Sequence, residues 1–143
     1  MSKSDTFEND LLKLIFNGTA IANIADNAAS SPLTSLYLSL HTADPGETGT
    51  EATNEISYTG YARKAVARTT GGFTVTNNVV TLAADNDFPE MTGGTGGTAT
   101  HFAVGVAVSG ATKVLYKGPV SPTIAVSSGT IPRLKQATSI TED

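Results

Sequence analysis

The pattern of apolar positions changes period twice along the chain. Phe7, Leu11, Leu14 and Ile15 recur at three- and four-residue spacing and stop at Gly18, which predicts one short amphipathic helix with Asp5 and Glu8 as its capping pair. Thr19 to Pro32 carries no sustained period and reads as a connector or a frayed continuation of the helix. From Leu33 the period becomes two. Leu36, Leu38 and Leu40 alternate with Tyr37, Ser39 and His41, predicting a half-buried strand with one polar face. Asp44-Pro45-Gly46 ends it, and a long acidic loop runs to Asn54.

A second β-segment is expected over Tyr58 to Arg68. The clearest local signal is Phe73-Thr74-Val75-Thr76 and Val79-Val80-Thr81-Leu82 around Asn77-Asn78. Asn tolerates the positive φ of a two-residue primed turn, and this register places Phe73 opposite Leu82 and Val75 opposite Val80 on one face. After the glycine-rich stretch Gly93 to Gly97, Phe102, Val104, Val106 and Val108 alternate again, with a turn at Ser109 to Thr112 leading to Val114-Leu115-Tyr116. Short runs at Ile124 to Val126 and Thr138 to Ile140 follow, and Pro119, Pro122 and Pro132 restrict strands here to edges or ends. The sum is a mainly β chain: an antiparallel β-sandwich, with the jelly roll as one form of it, plus one N-terminal helix. Residues 1–32 form the helix and connector, and 33–143 the sandwich domain.

Composition narrows the function. With 13 acidic and 9 basic residues the 143-residue chain has a formal charge of −4, and no basic track suits a nucleic-acid backbone. The local cluster Arg63, Lys64 and Arg68 beside Tyr58 and Tyr61 is better read as a strand face or a protein contact. Only 15% of residues are charged, so small neutral groups cover much of the surface and desolvate at little cost, which favours a protein that works in contact with neighbours. Cysteine is absent, which excludes thiol catalysis, disulfides and thiolate metal sites. The polar, acidic N-terminus lacks a signal-peptide pattern, and no apolar run approaches bilayer length, so cytosolic synthesis without membrane insertion is expected.

Candidate chemistry is sparse. Ser39, His41 and Asp44 spell a triad on paper, but no nucleophile elbow or oxyanion hole accompanies them. Two separated histidines give no zinc pattern, and Glu47, Glu51 and Glu55 are too spread for a calcium loop. The glycine-rich stretch lacks the Gly-Lys-Ser/Thr ending of a phosphate loop, and the absence of Trp removes the usual sugar platform. No enzymatic activity, metal or cofactor is expected.

The words Leu36-Tyr37-Leu38-Ser39-Leu40-His41-Thr42-Ala43-Asp44-Pro45-Gly46, then Ala52 to Glu55, Tyr58 to Arg63, Thr100 to Gly105 and the ending Ile140 to Asp143 resemble a family of small tailed-phage virion proteins. Its members carry head, minor structural or tail-fibre labels. The resemblance implies a virion component. Of two placements, a head decoration protein on the outer capsid ranks first, clamping the major capsid protein and neighbouring copies of itself as a dimer or trimer; a tail or tail-fibre component, facing assembly partners or a host receptor, ranks second. The expected contact residues are Phe7, Leu11 and Ile15 on the helix, Glu47 and Glu51 in the acidic loop, and Tyr58, Tyr61 and Arg63 beyond it. Residues 1–32 or the loop Asp44–Asn54 would reach across to adjacent subunits.

Overall fold

A computed structural model describes residues 3–21, 24–25 and 32–142. Among the described residues one helix, α1 (Asp5–Asn17), precedes nine strands: β1 (Ser35–His41), β2 (Lys64–Ala67), β3 (Phe73–Thr76), β4 (Val79–Leu82), β5 (Asn86–Asp87), β6 (Gly97–Gly105), β7 (Val114–Val126), β8 (Arg133–Leu134) and β9 (Ser139–Thr141). They form an antiparallel four-stranded sheet in the order β2-β1-β6-β7, a three-stranded sheet β3-β4-β9 and a ribbon β5-β8. Leu38, Phe102 and Val104 of the first sheet face Phe73, Val80, Leu82 and Ile140 of the second, with only a narrow void between them. This is the sandwich the alternation predicts. Its sheets hold four and three strands among the described residues, fewer than the eight of a jelly roll.

The hairpin has the predicted register, Phe73 against Leu82 and Val75 against Val80, with Asn77 at φ 55°. The helix differs in two respects. Ser4, not an Asp5/Glu8 pair, is the N-cap, its hydroxyl accepting the Phe7 N–H at 3.4 Å, while Asp5 and Glu8 place negative charge at the positive end of the dipole. At the other end Gly18 turns at φ 65°, and the Thr19 N–H returns to the Lys13 carbonyl at 3.1 Å. The buried face is rotated from the expected stripe. Leu12 and Phe16 are fully enclosed, whereas Phe7 stays 39% exposed. Phe16 meets Phe73 edge-on at 4.9 Å and Tyr116 at 5.5 Å, contacts with distant strands that local spacing does not encode.

Side-chain amides fasten α1 to the sheet: Asn17 donates to the Phe73 carbonyl at 3.0 Å and Asn9 to the Asn77 carbonyl at 2.8 Å, covering the free edge of β3. The Arg68 guanidinium donates to the carbonyls of Ile15, at 2.6 Å, and Leu14, closing the C-terminal end of the helix. The helix is thus part of the core rather than an arm reaching outward. Of the connector expected over Thr19 to Pro32, residues 22–23 and 26–31 lie outside the described set.

Three strand boundaries also move. Tyr58 to Arg63 is loop apart from a single bridge of Thr59 to Gly93, and the strand proper is Lys64–Ala67; β6 ends at Gly105 rather than Val108; and β7 joins the runs at 114–116 and 124–126 into one strand. Pro119 and Pro122 are tolerated in β7 because it is the sheet edge, as the prolines predict. Among the described residues no helix is long and apolar enough to cross a membrane.

Candidate functional site

Beyond β1 the chain crosses back over the sheet. Residues 42–63 lie against the second face of β1, so Ser39 and His41, expected on a solvated face, are both 0% exposed. Backbone bonds fix the crossing: Thr42 N–H to Asn54 O and Ile56 N–H to Leu40 O, each 2.9 Å. The Asp44-Pro45-Gly46 turn closes through the Gly46 N–H on Asp44 Oδ1 at 2.8 Å, with Gly46 at φ 78°. Asn54, itself at φ 56°, donates its side-chain amide to the Asp44 carbonyl at 3.0 Å. Lys117 of β7 reaches over to Asp44 at 3.0 Å and Glu47 at 2.9 Å. The Gly46 N–H, and then Lys117, hold the Asp44 carboxyl below its ordinary range.

Under this loop lies a polar clasp centred on Arg63. Its guanidinium grips Glu55 with a two-pronged fork, Nε to Oε1 and Nη2 to Oε2, both 2.8 Å. Nη1 reaches Glu51 Oε2 at 3.1 Å, the Ala107 carbonyl at 3.1 Å and Thr112 Oγ1 at 3.2 Å, while Nη2 also donates to the Gly110 carbonyl at 2.8 Å. The Arg63 side chain is 2% exposed and that of Glu51 0%. One cation therefore ties the 42–63 crossing to the 106–112 loop between β6 and β7. Thr112 donates to Glu51 Oε2 at 2.6 Å, and Glu51 Oε1 has no partner among the described residues. Burial pushes the Glu51 carboxyl up, against the pull of Thr112 and Arg63. The carboxylate can lie here because residue 105 is Gly: a Cβ there would sit 1.8 Å from Glu51 Cδ.

Tyr61 joins the clasp through its hydroxyl, which donates to Glu55 Oε1 at 2.9 Å and accepts the Leu40 N–H at 3.2 Å. Burial raises this phenol far above its ordinary value. Its ring stands edge-on to Tyr58 at 5.2 Å and parallel to Phe88 at 6.3 Å.

The Ser39–His41 pair does form. Ser39 Oγ and His41 Nε2 are 2.9 Å apart, and His41 Nδ1 lies 2.8 Å from the Thr53 carbonyl. A carbonyl only accepts, so Nδ1 carries the proton and Nε2 accepts from Ser39. Burial lowers the His41 pKa, with the Thr53 bond opposing it. Asp44 is not the third member of a triad, since it is exposed and engaged by Gly46 and Lys117. With both Ser39 and His41 sealed off, the geometry holds a loop and offers no opening to a substrate.

Of the expected contact residues, Glu51, Tyr58 and Arg63 are buried, so the surface role assigned to them gives way to an internal one. Tyr61 is half-buried with its hydroxyl turned inward, Leu11 is half-exposed, and Ile15 packs on the core. Phe7 and Glu47 alone of the eight are exposed, Glu47 with its carboxylate paired to Lys117. The acidic loop 44–54 does not project; it is fastened at Thr42, Asn54, Glu51 and Lys117. Sequence reasoning missed Thr112 and Gly105 as parts of the clasp. Gly105 ends the quoted word Thr100 to Gly105, which the fold brings against Glu51, whereas no signal in the sequence singles out Thr112.

A protein-family model described as Gp80, Podophage GP4 fiber I protein gp80, matches residues 2–141. No curated protein matches the chain.

Proposed function

Since the chain belongs to the Gp80 family of podophage fibre proteins, a family of phage virion structural proteins, we propose that it is a non-enzymatic component of the tail fibre apparatus. The order of the two placements drawn from the sequence thereby reverses. Head decoration loses its first rank, because the family description names a fibre. The observation that carries the reading is the family match over nearly the whole chain.

The clasp accords with it. A fibre transmits force and must present fixed surfaces, and loops held by buried bonds keep their shape at lower entropic cost on binding. Here Arg63 holds two loops from beneath while their tips, including Val108 at 60% exposure, face outward. The non-enzymatic reading is supported by the enclosure of the Ser39–His41 pair and by the use of Glu51 and Glu55 as partners of Arg63. Contacts with other virion proteins and with copies of itself complete the proposal, in place of the major capsid protein. Phage assembled without this chain tests it. The expected particles have filled, stable heads and fail to adsorb; particles that adsorb normally but lose DNA on mild heating would restore the decoration reading.

A further inference from the structure

The sandwich is open along one seam. Among the described residues β7 pairs with β6 alone and β9 with β4 alone, so each sheet ends there in an edge. The two edges close at one point, where the Tyr116 hydroxyl donates to Glu142 at 2.8 Å. Further along β7 they part around a groove of about 560 Å³, with the 118–125 stretch of β7 as one lip and residues 133–139 as the other. Its floor is apolar: Leu134 is buried, and the ring of Phe102 lies beneath Gly118, where a Cβ would come within 3.2 Å of it. Val120 and Ile124 line the first lip and are half-exposed. The second lip is held rigid, Gln136 bonding Asp85 at 2.8 Å and the Ala83 carbonyl at 3.0 Å.

Two cations line this groove, Arg133 and Lys135. Arg133 is engaged by Asp87 at 2.5 Å and Asp85 at 3.5 Å, but Lys135 is exposed and forms no ion pair among the described residues. Pro119 and Pro122 remove two amide donors from the β7 edge, which discourages open-ended strand addition, so side chains seated on the floor must supply much of the grip. We infer that this seam is a docking groove for an extended segment of another polypeptide, with alternating apolar side chains on the floor and a carboxylate on Lys135. That the partner is a virion protein rests on the reading above; binding in the groove does not.

An array of synthetic hexapeptides alternating valine and threonine and ending in glutamate, glutamine or lysine tests this on the full chain. The glutamate series is expected to bind about three- to tenfold more tightly than the lysine series, the difference an exposed charge pair supports. Lys135→Glu reverses that order, and Ala137→Trp or Thr123→Trp, each filling the groove from one lip, abolishes binding while thermal unfolding stays as in the parent. Absence of binding by every series, or binding that survives both tryptophan variants, overturns the inference. A concentration-dependent dimer lost in Ala137→Trp, with no peptide binding, overturns it too, by assigning the groove to a second copy.

Discussion

Replacing Arg63 by Ala should be among the most damaging single changes in the chain. The substitution leaves Glu51, whose side chain is 0% exposed, without its counter-charge and held by the Thr112 hydroxyl, and leaves Glu55, at 16%, with its Tyr61 bond alone. Removing one partner of a buried ion pair costs about 3–5 kcal/mol, because the remaining charge stays in a poorly solvating site. The carbonyls of Ala107 and Gly110 lose a donor as well. At about 2.1 cal/mol/K per residue, 143 residues give an unfolding entropy of roughly 0.3 kcal/mol/K, so the midpoint should fall by about 10–17 °C. Scanning calorimetry with urea titration measures it. The cause can be isolated in two ways. Adding Glu51→Gln to Arg63→Ala should recover part of the loss, since no charge is then stranded. Lowering the pH should also narrow the gap to the parent, because burial already pushes Glu51 toward its neutral form. A loss below about 1 kcal/mol, or one indifferent to both Glu51→Gln and pH, would refute the idea that Arg63 holds the loops through buried charge.

Three further changes probe other parts of the account. Gly105→Ala should expel the Glu51 carboxylate and cost about 1–3 kcal/mol, read as a lower urea midpoint with altered amide shifts in residues 106–112; an unchanged midpoint would deny the close approach. Phe16→Ala should cost about 3–5 kcal/mol and Phe7→Ala within about 0.5, a contrast that separates the observed helix face from the stripe read off the sequence. His41, with its pKa lowered by burial, contributes stability that is complete above about pH 6.5 and is lost as the pH falls, because the unfolded chain then takes up a proton the folded one refuses. His41→Gln should therefore flatten stability against pH between 7.5 and 5.5 by no more than about 1.4 kcal/mol per unit, and equal slopes in the two proteins would mean that His41 is not buried neutral.

Elements built from neighbours in sequence were legible, and those completed by distant residues were not. The Phe73–Leu82 hairpin needs only a period of two and an asparagine pair, and its register follows from the turn. The Gly18 stop is likewise local. The helix face escaped because apolar residues occupy positions 7, 11, 12, 14, 15 and 16, more than half the circumference, and Phe73 and Tyr116 choose among them. Ser39 and His41 read as a wet face because polar side chains alternating with leucines usually are. What buries them is a crossing loop whose anchor, Arg63, looks in isolation like part of a basic surface cluster. Its partners at 51, 55, 107, 110 and 112 come from two loops that no period connects.

The most direct test of the central claim is gold-labelled antibody microscopy of intact particles. The fibre reading predicts label confined to the tail and its appendages. Label spread over the head would contradict it and return the protein to the capsid surface.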